Sequence, residues 1–133
     1  MKTLRETRHS AYLINYHIVW ITKDRHEILT GEIAVLVEES LKYVAREKEW
    51  NIIALSVMPG HIDLVVSAQP KFAPSEIVKA LKGFSARRVL MAYPELGQKG
   101  KRGTLWAPSY YVGTVGNVPV EEIRHFIETC QDH

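Results

Sequence analysis

The sequence predicts an α+β fold, a ferredoxin-like antiparallel sheet with two helices on one face plus a C-terminal helix. Three observations carry this. Stretches of two-residue alternation trade places with stretches of helical spacing, in the order strand, helix, strand, strand, helix, strand, helix. The middle two strands are separated only by Pro59-Gly60, which suits a tight antiparallel hairpin. No repeat or low-complexity segment interrupts the 133 residues, enough for a single domain over 1–133 with its own core.

"AYLINYHIVWIT" (11–22) is rich in β-branched and aromatic residues and reads as the first strand. Residues 31–49 place Ile33, Leu36, Val37, Leu41, Val44 and Ala45 at helical spacing, with Thr30 as N-cap. "NIIALSVM" (51–58) and "HIDLVVSA" (61–68) form the hairpin. A second helix runs from Pro74, acceptable at a first helical position, to near Tyr93, with Ile77, Val78, Leu81 and Phe84 as its first apolar stripe. "LWAPSYYVGTVG" gives a fourth strand broken by Pro108. The last helix, about 119–131, carries Ile123, Phe126, Ile127 and Cys130 at i, i+3, i+4 and i+7. That stripe must be buried, on its own domain or on a partner subunit.

A hydrophobic content of 46% and a charged content of 24% are ordinary for a globular chain. The net charge of +2 hides a split: residues 71–102 hold eight Lys/Arg against two Glu, and the rest is acidic on balance. A surface built for a polyanion explains this, as does a solvated helix face followed by a solvated loop. Cys130 is the only cysteine, which excludes an internal disulfide and a cysteine-based zinc site. "MKTLRETRHS" has no apolar core and no run approaches the roughly 20 apolar residues of a membrane span, so the expectation is a cytoplasmic protein with no membrane partner.

The chemistry concentrates in "MPGHIDLVVS" (58–67). Alternation puts His61 and Asp63 on one strand face, roughly 7 Å apart at the backbone, and Ile62, Leu64 and Val66 on the other. An imidazole and a carboxylate are competent ligands for magnesium or manganese, with water at the other positions. The alternative is a surface His–Asp pair. His17, mid-strand among apolar residues, is either a hydrogen-bonded core histidine or a nearby third member of that site. Lys79, Lys82, Arg87 and Arg88 on the second helix, with Lys99, Lys101 and Arg102 in "GQKGKRG", are the candidate DNA-binding cations. Trp106, Tyr110 and Tyr111 are placed to stack on unpaired bases or to pack in the core. "GTVG" (113–116) lacks the Lys-Ser/Thr of a P-loop and reads as a turn.

"YHIVWITK", "MPGHIDLVVS", "LKGFSARRV", "LWAPSYYVGTVG" and "EEIRHFIETCQ" together resemble, in order and spacing, the small single-tyrosine HUH transposases of bacterial and archaeal insertion sequences, including the REP-associated ones. The resemblance runs from about Tyr12 to Gln131. It implies a homodimer that binds single-stranded or hairpin DNA at insertion-sequence ends. It also implies a magnesium or manganese ion on a His-hydrophobic-His pair, and strand cleavage by a tyrosine on the last helix, which is exchanged between subunits. In this chain His61 matches the first histidine, and Asp63 stands where the second is expected. Gly60 stands where an aspartate is common, and Ser56 where some members carry an acidic ligand. Phe126 occupies the position of the nucleophile, and Cys130 that of a polar residue one turn later. Phenylalanine has no oxygen to attack phosphorus, so cleavage by that route is not expected. A DNA- or RNA-binding regulator derived from a transposase is one alternative. An active enzyme with a relocated nucleophile, Tyr111, is another. In either case the His–Asp pair is expected to face a cation-lined surface.

Overall fold

The structure, a computed structural model, describes residues 5–6, 11–12, 14–98 and 104–115. Two short strands, β1 (Arg5–Glu6) and β2 (Ala11–Tyr12), pair with each other antiparallel. The main sheet follows with β3 (Asn15–Ile21), α1 (Gly31–Lys48), β4 (Asn51–Met58), β5 (His61–Ser67), α2 (Pro74–Ala92), the single-turn α3 (Glu95–Gln98) and β6 (Tyr111–Val115). Its strand order is β4-β5-β3-β6, and every neighbouring pair is antiparallel. This is the ferredoxin-like arrangement, with β3 and β5 at the centre. The continuous first strand expected over 11–22 is divided: Ala11–Tyr12 belongs to the small ribbon, and only Asn15–Ile21 joins the main sheet.

The sheet is two-faced because side chains alternate along its two central strands. Ile18, Trp20, Ile62, Leu64 and Val66 point to one side, where they share a core with Val37, Leu41 and Val44 of α1 and with Ile77, Val78, Leu81 and Val89 of α2. Burying a Leu or Ile side chain of this kind is worth about 1.5–3 kcal/mol. Among the described residues, the opposite side carries a smaller buried apolar cluster, Ile53, Ala54 and Val65, with Val115 against it.

Three local features place the side chains discussed below. In β4 the register shifts between Ile52 and Ala54, so Ile53 is an extra residue. The bulge resets the alternation and leaves Ser56 directly opposite Asp63 on the face away from the helices. Alternation alone does not reveal that shift. The Pro59-Gly60 turn is clamped at its tip: Thr22 N–H donates to the Gly60 carbonyl at 3.1 Å and Leu29 N–H to the Pro59 carbonyl at 3.0 Å. A Cβ on Gly60 would already touch the Arg25 carbonyl oxygen at 3.4 Å, so a small residue suits this close approach. Third, α1 begins after Thr30, as expected, but Thr30 makes no side-chain cap bond. The capping expected from its hydroxyl is absent because the backbone carries the start instead: Ile33 and Ala34 N–H both donate to the Thr30 carbonyl.

The fourth strand is shorter than its sequence implies. Ahead of Pro108, Trp106 forms a single bridge to Thr22, and regular pairing with β3 begins only at Tyr111. The last helix expected at about 119–131, with Phe126 and Cys130, lies outside the described residues.

Candidate functional site

Residues opposite one another on neighbouring strands share a face. The pairing Ile21↔His61, Val19↔Asp63 and His17↔Val65 therefore puts His17, His61 and Asp63 on the face of the sheet opposite α1 and α2. Their side chains converge. Asp63 Oδ1 is 3.5 Å from His17 Nε2, and Asp63 Oδ2 is 3.4 Å from His61 Nε2. These distances lie beyond the usual 2.7–3.2 Å of an N–H···O bond, so the three groups are close without being locked. Asp63 is only 9% exposed. A nearly buried carboxylate is costly unless charge or hydrogen bonding compensates it, and the two imidazoles supply the neighbouring polar groups. The sequence brought His61 and Asp63 together; the sheet register adds His17.

The cluster tests the expectation of a divalent ion directly. Among the described residues, no three His, Cys, Asp or Glu side chains stand where they could all hold one ion. The pair expected from the sequence, His61 and Asp63, would supply one imidazole and one carboxylate, and His17 stands at nearly the same distance from that carboxylate. Two protein donors with the remaining positions left to water fit magnesium or manganese, which retain several waters when protein-bound. They do not fit a closed structural site.

Tyr111 belongs to the same face. Its Cα is paired with that of Val19, and its ring meets His17 edge-on, with centroids 5.8 Å apart and planes at 73°. Nothing in the sequence pattern signalled that contact, which depends on β6 lying next to β3 in the sheet.

The cations lie elsewhere. Lys79, Arg87 and Arg88 are exposed on α2, and α2 covers the opposite face of the sheet. The expectation of a cation-lined surface around the His–Asp pair therefore fails for these residues. The apolar stripe of α2 commits the helix to the far layer, and its charges follow it. Among the described residues, none of the three has a carboxylate within ion-pair distance. The guanidiniums of Arg87 and Arg88 lie 5.9 and 5.4 Å from the centre of the Phe84 ring, which in turn stacks on Tyr43 of α1 at 5.1 Å. A ring flanked this way holds two cations close together without neutralising them.

Lys82 is different. Its ammonium donates to the Ala107 carbonyl at 2.7 Å and the Ser109 carbonyl at 3.5 Å. Burial pushes its pKa below the usual lysine range. Lys82 is thus a strut between α2 and the segment that leads into β6, not an outward cation. Trp106 completes the strut. Its indole N–H donates to the Lys82 carbonyl at 3.2 Å and to Ser85 Oγ at 3.1 Å, and its ring packs edge-on against Trp20 at 5.7 Å. Of the three aromatic side chains considered for base stacking, Trp106 is core, whereas Tyr110 and Tyr111 are exposed. Lys99, Lys101 and Arg102 lie outside the described residues, as does Phe126.

This geometry can be set beside known proteins. Residues 10–130 match the family model described as "Transposase IS200 like". The ISDra2 transposase TnpA of Deinococcus radiodurans is 40% identical over 129 residues, covering 97% of this chain and 92% of that protein. The transposase for insertion sequence element IS200 of Salmonella typhimurium is 29% identical over 123 residues, 90% of this chain and 81% of that one. A crystal structure from Deinococcus radiodurans R1, described as a transposase, superposes with a TM-score of 0.77 at 38% identity, over 94% of this chain and 96% of the other. A REP-associated tyrosine transposase, solved bound to a REP hairpin, shares the fold with a TM-score of 0.60 at 16% identity, over 93% of this chain and 68% of its own.

Proposed function

The chain belongs to the IS200-like transposase family, and on that premise we propose that it binds single-stranded or hairpin DNA of the kind found at insertion-sequence ends. The observation that carries this reading is the set of exposed α2 cations, Lys79, Arg87 and Arg88, with no carboxylate partner among the described residues. Cations left unneutralised on one helix favour a polyanion, and each phosphate they meet releases counterions. A family member of the same fold was solved with a DNA hairpin, which supports DNA as the polyanion.

The two functions of such a protein are divided between the two layers. DNA is held on the helix side, while the opposite sheet face carries His17, His61 and Asp63. His61 and Asp63 would hold a magnesium or manganese ion, whose charge offsets that of a phosphodiester. Asp63 brings an oxygen ligand where the family pattern has a second imidazole nitrogen, a change that favours hard cations. Phe126 stands at the position of the family nucleophile and has no oxygen to form a phosphoryl ester, so transposition by that route is absent. The protein acts as a homodimer in this reading.

The test is a titration of three fluorescent nucleic acids: a DNA hairpin with single-stranded arms, a blunt DNA duplex, and an RNA hairpin of the same sequence. Tightest binding to the DNA hairpin is expected. Preference for the RNA replaces this reading with that of an RNA-binding regulator, and equal weak binding to all three leaves no specific nucleic-acid role.

A further inference from the structure

We infer that the outward seam between α1 and α2 is a stacking platform for unpaired nucleobases, centred on Tyr43. The inference rests on the DNA-binding reading above and deepens it, adding base stacking to the phosphate contacts of Arg87 and Arg88. Two contacts fix how the helices lie against each other. Tyr93 Oη, just past the end of α2, is 3.4 Å from Glu32 Oε1 near the start of α1. Phe84, earlier on α2, stacks on Tyr43, later on α1. The helices therefore run antiparallel, and the same register sets Met91 near Val35. Helical spacing puts Phe84, Arg87, Arg88 and Met91 on one face of α2, and Val35, Glu39 and Tyr43 on one face of α1.

The seam is left uncovered. Among the described residues five large apolar or aromatic side chains are exposed, and three of them lie here: Met91 at 80%, Val35 at 53% and Tyr43 at 41%. Phe84 is partly buried against the core, which holds its ring in place. Tyr43 is carried on that ring, with centroids 5.1 Å apart and planes only 19° apart. A ring set nearly parallel on an anchored neighbour, and open to water, is a preorganised surface for a flat apolar group.

Charge selects what that group is attached to. The guanidiniums of Arg87 and Arg88 lie 5.9 and 5.4 Å from the centre of the Phe84 ring. Glu39, one turn before Tyr43, forms an ion pair with neither of them. The seam thus offers an aromatic surface and two unneutralised cations side by side. A single strand of DNA matches both, with bases on the aromatic surface and phosphates on the arginines. A duplex keeps its base faces inside its own stack and meets only the cations. From Val35 to Tyr43 the seam runs about 12 Å at 1.5 Å per residue, room for about three bases at a stacked spacing of about 3.4 Å.

The test compares two single strands of equal length. One carries a single 2-aminopurine among thymidines. The other has the same backbone with every base replaced by an abasic tetrahydrofuran. The wild type should bind the base-bearing strand about tenfold or more tighter than the abasic one, and should quench the 2-aminopurine fluorescence. Tyr43→Leu should abolish the quenching and bring the two affinities together, while its affinity for the abasic strand stays that of the wild type. Tyr43→Phe should keep both the preference and the quenching. Equal binding of the two strands by the wild type overturns the inference and leaves the DNA-binding reading standing. So does a Tyr43→Leu variant that loses affinity for both strands alike, which marks a merely structural tyrosine. A change of oligomeric state in Tyr43→Leu, read by sedimentation, with the base preference retained, makes the seam a subunit interface and also overturns it. A wild type that binds neither strand but does bind the DNA hairpin sinks the platform alone; one that binds no DNA at all sinks the platform and the DNA-binding reading together.

Discussion

Replacing Trp106 by Phe tests whether the segment ahead of β6 is bolted to α2 as described. The indole N–H donates to the Lys82 carbonyl and to Ser85 Oγ. Neither acceptor is stranded by the change, because Ser85 still donates to the Leu81 carbonyl at 2.7 Å and the Lys82 carbonyl lies within α2. The cost is therefore the net worth of the hydrogen bonding, about 1 kcal/mol, plus the contacts of the smaller ring with its Trp20 neighbour, on the order of another 1 kcal/mol. A loss of about 2 kcal/mol corresponds to a fall in melting temperature of roughly 8 °C for a domain of this size. Urea unfolding followed by far-ultraviolet circular dichroism measures the first, and a thermal scan the second. The consequence for function is positional: if the bolt fixes where β6 begins, Trp106→Phe also weakens the seating of Tyr111 against His17. A change below about 0.5 kcal/mol, within the range of surface substitutions, would refute the anchor.

Three further outcomes are expected. Asp63→Ala removes the carboxylate that His17 and His61 flank and should weaken manganese binding, followed by electron paramagnetic resonance, at least tenfold; His17→Ala should weaken it less. Gly83→Ala should raise stability by about 0.5–1 kcal/mol in chemical denaturation, since glycine in a helix interior is costly and a Cβ there meets only an Arg87 Nη1 atom at 3.7 Å. The double variant Asp63→His with Phe126→Tyr should form a covalent adduct with hairpin DNA at position 126 in the presence of manganese, mapped by peptide mass spectrometry, because it restores the donor pair and supplies the oxygen the family mechanism needs.

The sequence showed the sheet order's ingredients plainly. Strict alternation in 61–67 separated His61 and Asp63 from Ile62, Leu64 and Val66, and period alone was enough for that. Pro59-Gly60 announced the hairpin for an equally local reason. What was not legible depended on contacts between distant segments. The bulge at Ile53 is set by pairing with Val65 and Val66, which no pattern within β4 encodes. The meeting of Tyr111 with His17 needs β6 beside β3. Lys82 and Lys79 look alike in a charge count, yet one donates to the Ala107 carbonyl and the other faces solvent; only docking of the 104–110 segment on α2 tells them apart. The same tertiary fact corrects the placement of the cations. Ile77, Val78 and Leu81 bind α2 to the core layer, and its charges are carried to the far side from the His–Asp pair.

The division of labour between the two faces is tested most directly by the salt dependence of hairpin-DNA binding in three proteins: wild type, Arg87→Ala with Arg88→Ala, and Asp63→Ala. Each lost phosphate contact lowers the slope of log affinity against log salt by about 0.7–0.9. The arginine pair should reduce the slope by about 1.5 and weaken binding at low salt, while Asp63→Ala leaves both as in the wild type. An unchanged slope in the arginine variant, or a loss in Asp63→Ala as large as that in the arginine pair, would contradict the account.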